Sequence, residues 1–239
     1  MKWLTVILTL ALGLPFFPQF SLAYDFVQVS GEGEIKAKPD FILVNATVYS
    51  RAQTAKEAQK INTKEMARID KLLKQDFKVE AKDIQTSSFQ VQPQYEYGKD
   101  KPIYKGINVQ HALRIKFRKV DEVGNLLDRL VEVQNQEGFG VRVDELVFGT
   151  DQSKAYEVQA LELAMNEAKA RAQVLAKASG RTLSTVRKVS DSQISEIQIR
   201  PMRSMGKMAM DMASETAPTQ VSPGEISVRA QVSVEYEIK

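Results

Sequence analysis

The chain has no cysteine and a single histidine, His111, in 239 residues. Those two shortages remove thiol nucleophiles, disulfides and His/Cys metal clusters from consideration. An exported protein of this size without disulfides is held by its core alone and cannot be oxidised into wrong pairings. That habit suits the bacterial periplasm better than a eukaryotic secretory route, so the sequon Asn45-Ala46-Thr47 reads as incidental. An excess of charge is missing too. The 33 basic and 30 acidic residues leave +3, and losing Lys2 with a cleaved leader leaves +2. Such a balance argues against nucleic acid as the main partner.

The apolar stretch near the start, Trp3 to Leu14, follows Lys2 and is broken by Pro15 and Pro18. It is too short for a comfortable membrane span, which needs about 20 residues. Ser21-Leu22-Ala23 sets small residues where signal peptidase reads. Residues 1–23 are therefore expected to be a signal peptide cleaved after Ala23, with an uncleaved anchor as the alternative. No cysteine follows the leader, which excludes a lipid-anchored form. The expected product is a periplasmic domain, Tyr24 to Lys239, that is not an integral membrane protein. The 43% of hydrophobic residues in the full chain suffices for a sizeable buried core.

Periodicity supplies the fold class. Phe89, Val91, Pro93, Tyr95 and Tyr97 alternate with Gln90, Gln92, Gln94 and Glu96, as one buried strand face requires. Ile107 to Phe117, Ile226 to Ile238 and Ile42 to Val48 alternate likewise. Thr54-Ala55-Lys56-Glu57 has the capping-box form, and Ala58, Ile61, Asn62, Met66, Ile69, Leu72 and Leu73 follow at helical spacing. Asp121 is placed to cap a second helix carrying Val123, Leu126, Leu127, Leu130 and Val131. A third, alanine-rich helix is expected from just after Asp151 to Gly180, about 40 Å long. The order β-β-α-β-β-α-β-α-β-β reads as α+β, with three helices packed on one face of a mixed, largely antiparallel sheet. Residues 200–223 are polar, punctuated and methionine-rich, and read as a mobile loop before the last strand.

Gly31-Glu32-Gly33 is not a phosphate loop. It lacks a third glycine, Glu32 and Glu34 would repel an anion, and a strand rather than a helix follows Pro39-Asp40. Glycines so placed mark a bulge or a close backbone contact, and Lys38-Pro39-Asp40 supplies a turn. This Gly-x-Gly strand with its Pro-Asp resembles the start of the SIMPL-domain family of exported bacterial proteins. Thr54-Ala55-x-Glu57-Ala58, Asp83-Ile84-Gln85-Thr86, Pro93-x-Tyr95 and Tyr104-x-Gly106 are similar to the motifs that follow there. The helix Ala155 to Gly180 and the ending from Pro223-Gly224-Glu225 to Val234 complete the likeness over nearly the whole mature chain. Ile107, where an aromatic is expected, and Ser184, where glycine is common, depart from it. The resemblance implies a periplasmic or cell-surface protein linked to oxidative-stress defence, with oligomer-forming antigens and an animal kinase-associated signalling protein among its relatives. It implies no catalytic residues and no cofactor.

A search for chemistry leaves few candidates. His111 lies in register with an apolar strand face, and no GxSxG elbow accompanies it. Ser204-Met205-Gly206-Lys207 fits an SxxK pattern without its SDN or KTG companions. Arg114, Lys116, Arg118 and Lys119 could bind an anionic polymer or lipid head group. Alternatively they form the solvated face of an amphipathic strand, which on a sheet edge would also discourage aggregation. Met202, Met205, Met208, Met210 and Met212 form a soft-ligand cluster suited to Cu(I) or to scavenging oxidant, or else pack as gap fillers. Three readings follow. The first is a non-enzymatic protein acting by binding and self-assembly, as a homo-oligomer or with an envelope protein partner. The second is soft-metal binding or oxidant buffering by the methionines. The third is an unrecognised hydrolase using His111 or Ser204.

Overall fold

The computed structural model describes residues 25–98, 101–132, 138–197 and 219–239, with side chains described for all of these except 191–197. Two strands, β1 (Phe26–Ala37) and β2 (Phe41–Ala52), lead into helix α1 (Ala55–Lys71). Next come the hairpin strands β3 (Ile84–Tyr97) and β4 (Pro102–Phe117), then α2 (Val123–Val131) and β5 (Phe139–Gly149). The long helix α3 (Ser153–Ala178) precedes β6 (Leu183–Ile197) and β7 (Ile226–Ile238). The expected element order and the α+β class both hold.

The strands form two sheets rather than one, ordered β1-β7-β6 and β3-β4-β2-β5, and every pairing is antiparallel. β1 pairs along its whole length with β7, from Phe26 opposite Glu237 to Ala37 opposite Ile226. β2, only a short turn further on, pairs with β4 and β5 instead. Pro39 in that turn has no N–H to donate, and the chain changes sheet there. Asp40 fixes the crossing. Its carboxylate accepts the Thr150 hydroxyl at 2.9 Å and the Asp151 N–H at 3.0 Å, tying the start of β2 to the β5–α3 turn.

Helices α1 and α2 pack on the four-stranded sheet, α1 against β2 and β4 and α2 against β5. The main core lies between them and includes Ile42, Val44, Val48, Ile69, Leu73, Ile115, Phe117, Leu126, Leu130 and Phe148. Thr54 caps α1 as expected, its hydroxyl accepting the Glu57 N–H at 3.3 Å. Two polar residues pin α1 to β2: the Ser50 hydroxyl donates to the Ala58 carbonyl and the Asn62 amide to the Val48 carbonyl. Asp121 is not the cap of α2. It lies in a short 3-10 turn, and Glu122 occupies the cap position without a side-chain bond.

Helix α3 rests on β1 and β7 through a stripe of alanines spaced by four: Ala160, Ala164, Ala168, Ala172 and Ala176, all buried. Beyond the helix, Gly180 takes φ +71° and the Arg181 N–H returns to the Ala176 carbonyl, the left-handed stop its sequence predicts. Against the stripe lie Gly31 and Gly33. A Cβ added at Gly31 would sit 2.0 Å from the Ala164 carbonyl oxygen, and one at Gly33 would sit 2.0 Å from that of Ala160. The β1–β7 register is unbroken, so the glycines mark a close contact and not a bulge. A buried alanine methyl contributes only about 0.8 kcal/mol, so the interface gains by nearness of backbones rather than by large side chains.

Gly33→Ala is accordingly expected to lower the free energy of unfolding by about 3 kcal/mol or more in urea titration. Gly98→Ala, whose new methyl would meet nothing closer than 3.9 Å among the described residues, is expected to be nearly neutral.

Candidate interaction surface

Strand β3 is the edge of its sheet, paired on one side to β4 and on the other to nothing among the described residues. Phe89, Val91, Pro93, Tyr95 and Tyr97 share one face of it by alternation. Their partners on β4 continue that face: His111 opposite Phe89, Val109 opposite Val91, Ile107 opposite Pro93 and, past a bulge, Tyr104 opposite Tyr95. One strand further in, Val48 lies opposite His111 and belongs to the main core. The expected burial of the β3 face is therefore not observed. Phe89 and Tyr95 are 50% exposed and Tyr97 84%, because α1 lies over β2 and β4 and leaves the edge strand bare.

The hairpin is firmly held despite this exposure. Phe89 meets His111 edge to face at 5.3 Å, and Tyr95 meets Tyr104 at 5.7 Å. The Tyr104 hydroxyl donates to the Gln53 carbonyl at 2.9 Å, and the Arg51 guanidinium to the Gln94 side-chain carbonyl. Gly106 has φ +110°, and a Cβ there would lie 2.4 Å from the Ala52 carbonyl oxygen, so β4 passes tightly over the end of β2. An ion pair between Lys105 and Glu96 closes the outer part of the arm.

The other sequence candidates do not converge. Strand β4 lies inside the sheet, so the row Arg114, Lys116, Arg118 and Lys119 does not guard an edge. Lys116 and Arg118 both bond Asp151, Arg118 also bonds Asp83 at 3.1 Å, and Lys119 pairs with Glu122 at 3.3 Å. Those hydrogen bonds from Lys116 and Arg118 hold the Asp151 carboxyl below the usual carboxylate range. The cleft of about 710 Å³ beside this network is lined by both signs, with Lys38, Arg118 and Lys119 against Asp40, Asp121 and Glu122. With Lys116, Arg118 and Lys119 so matched by acids, this part of the row offers an anion little net field. Residues 1–23, Ser204 and the five methionines Met202, Met205, Met208, Met210 and Met212 lie outside the described residues. Among the described residues no three His, Asp or Glu side chains are grouped to hold a metal. None of the described helices is long and apolar enough to cross a membrane.

A family model described as SIMPL, "Protein of unknown function (DUF541)", matches residues 27–236. The chain belongs to the SIMPL family. It is 29% identical to the "26 kDa periplasmic immunogenic protein" of Brucella melitensis, over 98% of this chain and 94% of that one. It is 27% identical to the "Uncharacterized protein YggE" of Escherichia coli strain K12, over 89% and 83% of the two chains. The protein of the same description from Edwardsiella ictaluri is 28% identical over 81% and 78%.

In this SIMPL chain His111 sits at the root of the bare face. It shares a 2.8 Å hydrogen bond with the Thr86 hydroxyl and packs on Phe89, with no carboxylate bonded to it among the described residues. A triad would need an acid and a nucleophile there. Burial pushes its pKa below the ordinary 6.5. Below that pH the unfolded chain binds the proton more readily than the folded one. The stability tied to a neutral imidazole is thus complete above pH 6.5 and falls as the solution is acidified. The urea midpoint should decline as the pH falls below about 6.5, and His111→Gln should remove that part of the decline. An unchanged decline in the variant contradicts this reading of His111.

Proposed function

We propose that this SIMPL protein is an exported, non-enzymatic periplasmic protein that acts by binding, and that it self-associates through the bare face of the β3–β4 hairpin. One observation carries the proposal: an edge strand with Phe89, Val91, Tyr95 and Tyr97 exposed together on a braced arm. Soluble monomers rarely leave such a patch in water, and tyrosine is favoured where a contact is part apolar and part wet. A braced arm also loses little conformational entropy on docking. A second copy is the simplest partner, since a two-fold axis sets like faces together. The separate positions of His111 and of the acid-paired Lys116, Arg118 and Lys119 favour binding over catalysis. The apolar leader and the relative named as a periplasmic immunogenic protein support the periplasm as its setting. The family resemblance adds envelope defence against oxidative stress as its context.

Native mass spectrometry of Tyr24–Lys239 tests this. The wild type is expected as a defined oligomer, and F89S/Y95S/Y97S as a monomer whose unfolding free energy differs by only about 1–2 kcal/mol, as exposed positions allow. A wild-type monomer at all concentrations, or an unchanged oligomer in the variant, contradicts self-association through this face.

A further inference from the structure

Among the described residues the three-stranded sheet also has an edge at β1, and the molecule treats it in the opposite way. On the outer side of β1 the Glu32 N–H donates to the Glu167 carboxylate at 2.5 Å. Two residues back, the Ser30 carbonyl accepts from the Arg171 guanidinium at 3.0 Å. Both side chains come from α3, one turn apart, and pair with each other at 2.9 Å. An acceptor meets the free N–H and a donor meets the free C=O, which is what a neighbouring strand would offer. The Gly31–Ala164 contact brings α3 low enough for both side chains to reach over.

The place is one where an added strand would be well received. Beside the edge runs an apolar groove of about 520 Å³ lined by Val29, Ala170, Val174 and Leu175, with Val174 67% exposed. A second copy's β1 fits it. In an antiparallel pairing about a two-fold axis at Ser30, Gln28 would face Glu32 and Phe26 would face Glu34, so no like charges meet. We infer that the Glu167–Arg171 pair is an edge guard, which keeps β1 of one copy from pairing with β1 of another. This inference goes beyond the hairpin reading and does not depend on it. Charged side chains that cover an open edge are a known means of preventing strand addition.

Two variants of the mature chain test the guard by native mass spectrometry and amide exchange. E167A/R171A removes both edge bonds. E167R/R171E keeps an ion pair on the helix but turns donor toward N–H and acceptor toward C=O. At low concentration the Glu32 amide should exchange roughly tenfold faster in both, as loss of a charge-assisted hydrogen bond implies. As concentration rises, both should form species heavier than the wild-type particle, and the outer amides of β1 should regain protection as strands pair. The inference is overturned if both variants keep the wild-type mass throughout, even with faster exchange. It is equally overturned if the swapped pair behaves as wild type, because the two residues would then serve only as a surface ion pair. A failure of the hairpin reading would show instead in the wild-type particle and leave this comparison intact.

Discussion

At Gly31 and Gly33 the backbone of β1 lies against the carbonyls of Ala164 and Ala160 with no side chain between them. Much of the three-stranded half depends on that contact. It sets the height of α3 over the sheet, and the alanines at every fourth position keep that height along the helix. A larger residue on either side would lift the helix, since packed interiors yield little to an added methyl group. The same closeness lets Glu167 and Arg171 reach the outer edge of β1. One packing constraint thus decides both how the sheet is covered and how its edge is closed.

The four-stranded half solves its packing differently. Ser50 and Asn62 fasten α1 to β2, and the large core side chains fill the space beneath α1 and α2. The helical cover stops short of β3, although that strand carries an apolar face. An edge guarded by a charged pair and an edge left bare on one face are different answers to the same exposure problem. In the proposed reading the guarded edge is protected and the bare face is covered by a second copy.

Much of the fold was legible because local pattern reports local geometry. Alternation located β2, β4 and β7, the Thr54 box located the start of α1, and the alanine-rich run ending at Gly180 located α3. The glycine pair was readable as a bulge or a close contact, but neither the choice between them nor the partner helix was. What alternation cannot carry is pairing. Nothing local joins β1 to β7, which lie at opposite ends of the domain's sequence, and so the division into two sheets was hidden. For the same reason Lys116 and Arg118 read as a free basic row, while the acids that neutralise them come from other turns of the chain. Periodicity also shows that Phe89, Val91, Tyr95 and Tyr97 share a face without showing whether anything covers it. The Glu167–Arg171 pair looks like any helical i, i+4 ion pair until β1 is seen beside it.

The central claim is that the bare face of β3 is covered when the protein is at work. The chain has no native cysteine, so the variant Val91→Cys carries one thiol that reports on that face alone. The most direct measurement is the rate at which a thiol reagent labels this variant in intact cells and in purified form at high dilution. Lys60→Cys, at an exposed position on α1, is the control. The account predicts that the thiol of Val91→Cys is strongly shielded in cells and labelled freely on dilution, while that of the control reacts alike in both. Equal labelling of Val91→Cys in both settings would contradict it, because the face would then stand open to solvent where the protein works.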